Sequence, residues 1–243
     1  MPHATVRRVK RLLGTFALVT GGSSGIGAAC ARALADEGAG VLACSRRLRD
    51  GGPHGGAPVR VPTPGEVSLA HLDVTDEAEV RQRFAELPEL DLVVCAAGVG
   101  TFGPIASASL SELREMLEVH VIGTLACARE AMRRMQPRRK GHIVMIGSHV
   151  VNQAFTECAS YTAAKMGQLG LARVLAEEAR PFGIRVTSLL AGATDTPIWD
   201  DRPGFDRSKM MKPETLASFL VSIVTRPEMA VEEVIVRPPS GAL

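Results

Sequence analysis

The 243 residues are 46% hydrophobic and carry a formal charge of +2, enough apolar matter to bury about three quarters of the unfolded surface around one core. So near-neutral a balance argues against a nucleic-acid footprint or a strongly acidic partner. No apolar run approaches the ~18 residues of a membrane span, and five cysteines without a C-x-x-C pair read as buried free thiols of a reducing, cytoplasmic compartment. Residues 1–14 are basic without a hydrophobic stretch behind them and are expected to form a solvated stub, leaving 15–243 as one domain.

In chain order, 15–20 (TFALVT) is a short β-branched run stopping at Gly21-Gly22, which predicts a buried strand. A helix over 26–37 closes at Gly38. Further strands are expected at 41–45, 67–71, 90–95, 142–146, 185–190 and 234–237. Helical patterns intervene at 76–87, at 109–135 with Ser109 as cap, at 159–179 before Pro181, and at 213–225 with proline in its first turn. This alternation predicts a doubly wound Rossmann-type α/β fold with a seven-stranded, mostly parallel sheet. Residues 46–66 hold five glycines and four prolines and read as a long loop. Arg138-Arg139-Lys140 reads as a solvated cap at a helix end. Residues 198–212, with Trp199, Phe205, Met210 and Met211, are a candidate apolar lid beside the strand ends, suggesting a hydrophobic carbonyl compound as substrate.

Tyr161 and Lys165, four residues apart, share one face of their helix. A neighbouring ammonium favours the phenolate and makes the tyrosine a candidate acid/base. The turn after the first strand, Thr20-Gly21-Gly22-Ser23-Ser24-Gly25-Ile26-Gly27, lets backbone approach a pyrophosphate and offers the free N–H groups of a helix start. Its G-x-x-x-G-x-G spacing, taken with Y-x-x-x-K, resembles the short-chain dehydrogenase/reductase family over nearly the whole chain.

By this resemblance Ser148, thirteen residues before the tyrosine, polarises the substrate oxygen, Tyr161 transfers the proton, and Lys165 lowers the tyrosine pKa and holds the nicotinamide ribose. The resemblance likewise assigns Gly21, Ser23, Ser24, Gly25, Ile26 and Gly27 to the pyrophosphate turn and Asp73-Val74 to the adenine. It places Gly192, Thr194 and Thr196 beside the nicotinamide. Lys212-Pro213-Glu214 and Arg237-Pro238 are also similar to this family.

Three departures stand out. The family's N-N-A-G is Cys95-Ala96-Ala97-Gly98, whose backbone would still line the adenosine ribose although the bracing asparagine side chains are gone. The proline of P-G-x-x-x-T is Ala191, and the asparagine thought to anchor a water leading protons to the lysine is His120. His120 is expected either to serve that relay, titrating near ~6.5, or to be a satisfied helix histidine.

Ser45, Arg46 and Arg47 end the second strand where NAD enzymes carry a carboxylate, so NADP(H) is expected over NAD(H). The implied activity is interconversion of a carbonyl and an alcohol by hydride transfer, in a homo-oligomer, commonly a tetramer, built through the two long helices. The other reading is an NADP(H)-binding regulatory protein on the same fold with little turnover.

Overall fold

The structure, a computed structural model, describes residues 9–48, 60–200, 202 and 205–241. Seven strands, β1 (Phe16–Thr20), β2 (Gly40–Cys44), β3 (Val67–Ala70), β4 (Leu92–Cys95), β5 (Gly141–Ser148), β6 (Ile184–Ala191) and β7 (Glu233–Val236), form one sheet in the order β3-β2-β1-β4-β5-β6-β7. Every neighbouring pair is parallel, so the sheet is wholly rather than mostly parallel.

The central strands are continuously apolar because both faces are covered. Along β1, Phe16 and Leu18 pack with α2 (Glu77–Ala85), α4 (Thr124–Met135) and α5 (Ala159–Ala179). Ala17 and Val19 face the opposite layer, α1 (Gly25–Asp36) and α6 (Pro213–Val224). From β3 at one edge the chain returns to place β4 on the other side of β1. The strand order therefore reverses between β1 and β4, and a crevice opens at their carboxyl ends.

The pattern expected over 109–135 is not one helix. It divides into α3 (Leu110–Leu117), a π-helical turn Glu118–Gly123, and α4. A π turn inserts a residue into the ladder, which apolar periodicity does not register. Here it brings His120 against Val99, and sets Gly123 so close to the β3–α2 connection that a Cβ there would meet Val74 Cγ2 at 2.7 Å.

Charge placement also differs from expectation. Residues 1–8 of the expected basic stub lie outside the described residues; over 9–14 all but Leu12 are exposed, yet Arg11 grips buried Glu37 through two hydrogen bonds of 3.0 Å. Arg138 is not a solvated cap either. It donates to Leu90 O at 2.9 Å and to Asp91 Oδ1 at 2.9 Å, and Lys140 stands 3.1 Å from the same carboxylate. Cys30, Cys44, Cys95 and Cys127 are buried and outside any disulfide, whereas Cys158 is half-buried. The long loop expected over 46–66 falls mostly outside the described residues, at 49–59, as do positions 201, 203 and 204 of the expected lid. Among the described residues no helix is long and apolar enough to cross a membrane.

Candidate active site

A cleft of about 660 Å³ runs from the turn after β1 to the lid residues. Its floor is the turn itself. Gly21 has φ +67°, and a Cβ there would meet Ala96 O at 2.6 Å; a Cβ on Gly27 would meet Gly21 O at 2.3 Å. Only glycine permits this approach of helix, turn and neighbouring strand, and the result leaves main-chain N–H groups lining a groove.

Of the sequence-derived candidates, Gly21, Ser23, Ser24, Gly25, Ile26 and Gly27 line the cleft, with Ser45, Arg46, Arg47, Asp73 and Val74 farther along it. Ala96, Ala97, Gly98, His120, Ser148, Tyr161, Lys165, Gly192, Thr194 and Thr196 complete the set. Cys95 is the exception. The strand turns its thiol into the core beneath the sheet, where burial pushes it up to about 12.

The β4 end is braced by a residue that sequence reading passed over. Thr20 Oγ1, on the adjacent strand, accepts from the N–H groups of Ala96 at 3.1 Å and Ala97 at 3.2 Å. A hydroxyl at the last position of β1 therefore holds the strand end where the asparagine side chains are absent. The signal was present in Thr20 itself, but pairing of β1 with β4 is a long-range fact.

At the carboxyl end of β2, on the same sheet edge, the Ser23 and Ser45 hydroxyls meet at 2.9 Å, and Ser45 Oγ also accepts from Arg47 N. Arg46 is half-exposed, 3.5 Å from Glu115. Asp73 Oδ1 is engaged by the N–H and hydroxyl of Thr75.

Tyr161 and Lys165 rise from α5 beneath the end of β5, which supplies Ser148. Burial pushes the Tyr161 phenol up to about 12, and its hydrogen bond with Ser148 pulls the other way. This corrects the expectation of a lowered tyrosine pKa. The ammonium that was to lower it is itself buried, which brings Lys165 down to about 7, and its Nζ points inward to Ile146 O at 2.9 Å and Gln168 Oε1 at 3.0 Å. Nζ lies 5.9 Å from the centre of the Tyr161 ring.

His120 sits edge-on to Tyr161, ring centres 5.8 Å apart, with Nε2 2.7 Å from Val99 O. That ring nitrogen therefore carries the proton and donates. Burial, with the Lys165 charge nearby, pushes His120 down to about 3, so the ring is neutral near pH 7 and the expected titration near 6.5 is absent.

The mouth is aromatic. Phe102, missed in the sequence, stacks near-parallel on Trp199 at 6.1 Å and lies 5.2 Å from Tyr161, while Trp199 and Phe205 are 4.8 Å apart. Arg202, between the latter two in sequence, stands 4.0 Å over Phe102 and donates to Gly100 O. Trp199 Nε1 donates to Thr194 O at 2.9 Å, tying the lid to the β6 exit. Met210 and Met211 do not join this mouth. Both are buried, and Met211 bridges to Thr194 and packs in the core with α6.

Comparison with known proteins bears on this crevice directly. The family model described as short chain dehydrogenase matches residues 15–204. An uncharacterized oxidoreductase of Staphylococcus haemolyticus is 30% identical over 234 residues, covering 93% of this chain and 98% of the relative. A cis-4-hydroxycyclohexanecarboxylate dehydrogenase of Sinomonas cyclohexanicum is 32% identical over 228 residues, covering 90% and 86%. Among solved structures, an alcohol dehydrogenase from the archaeon Thermococcus sibiricus, complexed with 5-hydroxy-NADP, superposes with a TM-score of 0.80 at 25% identity, covering 94% of this chain and 98% of the other. The match spans the pyrophosphate-type turn, Ser148, Tyr161 and Lys165 alike, and the chain belongs to the short-chain dehydrogenase family of oxidoreductases.

Proposed function

We propose that this protein is an NADP(H)-dependent oxidoreductase that interconverts a carbonyl and an alcohol, with Tyr161 carrying the proton. The observation behind this reading is the grouping of the half-buried Tyr161 phenol, the Ser148 hydroxyl and the Lys165 ammonium on one wall of a cleft whose far end is a glycine turn with main-chain donors. The glycine cradle, which a Cβ would fill, fits a dinucleotide pyrophosphate. When bound, the nicotinamide ring supplies or accepts the hydride.

The rest is work for this chain. A phenol held well above neutral pH stays protonated and is suited to donating to a carbonyl oxygen as negative charge develops there. Ser148 adds a hydrogen bond to the same oxygen. Phe102, Trp199 and Phe205 exclude water and favour an apolar substrate body. Gly192, Thr194 and Thr196 shape the wall that would border the nicotinamide, Thr194 by holding the Gly192 carbonyl at 2.9 Å.

Arg46 and Arg47, at the cleft end beyond Ser45, support a 2'-phosphate. The residue directly after β2 is Ser45 and not a carboxylate that would repel it. Arg46→Asp should weaken NADPH binding at least about tenfold while leaving NADH equal or better, read by quenching of Trp199 or by cofactor fluorescence. Equal losses for both cofactors would refute the 2'-phosphate role.

The regulatory reading rests on the changes at Cys95, Ala96, His120 and Ala191; against it stand Ser148, Tyr161 and Lys165 on the cleft wall and the hold of Thr20 Oγ1 on Ala96 N and Ala97 N. Turnover of NADPH over a panel of ketones and aldehydes separates the two readings. Assembly through a second copy is part of this proposal: Ile122, Leu125, Met166 and Val174 are exposed around α4 and α5, and light scattering would read the mass.

A further inference from the structure

Beneath the reacting wall lies a buried polar chain that the resemblance does not assign. Lys165, Gln168 and Thr124 are 5%, 2% and 4% exposed. Lys165 Nζ donates to Ile146 O at 2.9 Å and to Gln168 Oε1 at 3.0 Å, and Gln168 Nε2 donates to Thr124 Oγ1 at 3.1 Å. Three elements, β5, α5 and α4, thus converge on one ammonium.

An ammonium has three protons and accepts nothing. With two protons committed inward, one N–H is left for the cleft. The amide of Gln168 has a defined sense as well: its neighbour on one side can only donate, so its oxygen faces Lys165 and its nitrogen must find an acceptor elsewhere. Thr124 is that acceptor. Gln168 comes one turn after Lys165 on α5, the spacing that puts both side chains over the same patch.

The charge balance makes the amide matter. The titratable groups that face the ammonium are Tyr161 on its own helix and His120 on the π-helical turn. The phenol titrates near 12 and the imidazole near 3, so both are neutral near pH 7. Among the described residues no carboxylate pairs with the buried cation, which rests on dipoles, and Gln168 is its only side-chain acceptor there. A buried charge without its acceptor gives up its proton instead.

We propose that Gln168, clamped by Thr124, is the positioning residue of the proton-transfer wall: its amide oxygen aims the Lys165 ammonium and keeps it protonated beside Tyr161. This rests on the reductase reading of Tyr161 and Lys165, so the test is made first on the protein without cofactor. Lysine labelled at Cε and Nζ allows the Lys165 titration to be followed by NMR, with Lys165→Met identifying the signal. Gln168→Leu and Gln168→Met should lower the midpoint by about one pH unit or more, and Gln168→Glu should raise it by a similar amount. Thr124→Val, which leaves the amide free to turn, should lower it by less.

NADPH affinity measured by fluorescence from pH 6 to 9 should follow the same order, the leucine and methionine variants losing it at lower pH than the parent. A residue that merely packs α5 on α4 would change stability without moving these midpoints. Midpoints of the leucine and methionine variants within about 0.3 pH unit of the parent, at parent circular dichroism, would overturn the proposal. Should Gln168→Leu fail to fold, the methionine and glutamate variants decide by the opposite directions of their shifts. A parent protein that binds no NADPH would instead sink the reductase reading, with the midpoints still judging Gln168.

Discussion

The two ends of the parallel sheet treat charge in opposite ways. At the amino ends of β4 and β5, Asp91 accepts from Phe16 N at 3.0 Å and from Arg138 at 2.9 Å, with Lys140 at 3.1 Å. Burial alone would raise this carboxyl, but those donors outweigh it and hold it below the ordinary carboxylate range. At the carboxyl ends, buried Lys165 and His120 and half-buried Tyr161 have no opposite charge beside them among the described residues, and each is pushed toward its neutral form. His142, at the quiet end, is also neutral by burial, yet it is tied to Thr187 at 2.8 Å and faces no cleft. Saturated pairing builds a scaffold, whereas dehydrated groups beside a cavity retain capacity for chemistry.

The sharpest way to break this contrast is Tyr161→Phe. Loss of one oxygen should leave fold and NADPH affinity near normal and lower the rate about 10²-fold or more, as for a lost general acid. Parent-level turnover of a confirmed substrate by the purified variant would remove Tyr161 from the mechanism.

At the scaffold end, Asp91→Asn should cost about 1–3 kcal/mol, since it strips charge from a carboxylate that holds Phe16 N and the part-buried Arg138. Thermal melting near pH 7 would show a fall of about 2–8 °C. The sign with pH follows from the lowered carboxyl: its contribution is complete above the unfolded value of about 3.9 and is lost as pH falls through the lower folded value. Parent and variant melting curves should therefore converge in acid. A difference that persists below about pH 2 would mean the ion cluster is not its source.

Thr20→Val is isosteric and leaves two main-chain N–H groups at the cleft without their acceptor, at about 1–2 kcal/mol. If the β4 end then sags, KM for the cofactor should rise while kcat changes little. No loss in either stability or KM would show that the brace is dispensable.

The smallest effect is expected from pH. With His120 near 3, the rate profile should have no His120 inflection between pH 6 and 7, and His120→Asn should leave its shape unchanged there. An inflection in that range that disappears in His120→Asn would show the ring to be charged and solvated during turnover.

Much of this molecule was legible in its residues. Strands β1 to β7 and helix α5 follow from apolar runs bounded by glycine and proline, because local propensity and the buried faces of a parallel sheet demand the same pattern. The glycine turn and the Tyr161–Lys165 spacing were legible for the same reason: each chemistry needs particular residues a few positions apart. What the chain order could not carry was contact between distant residues. Thr20 bracing Ala96, Arg138 holding Asp91, Phe102 reaching Tyr161, and Gln168 closing on Thr124 are separated by 76, 47, 59 and 44 positions, and only packing of the sheet and its helices brings them together. The π-helical turn belongs with them, since one inserted residue leaves no mark on an apolar period yet decides where His120 points. Burial, likewise a property of the folded whole, reversed the expected direction of the Tyr161 pKa, because desolvation acts through every surrounding atom whereas sequence spacing names only one neighbour.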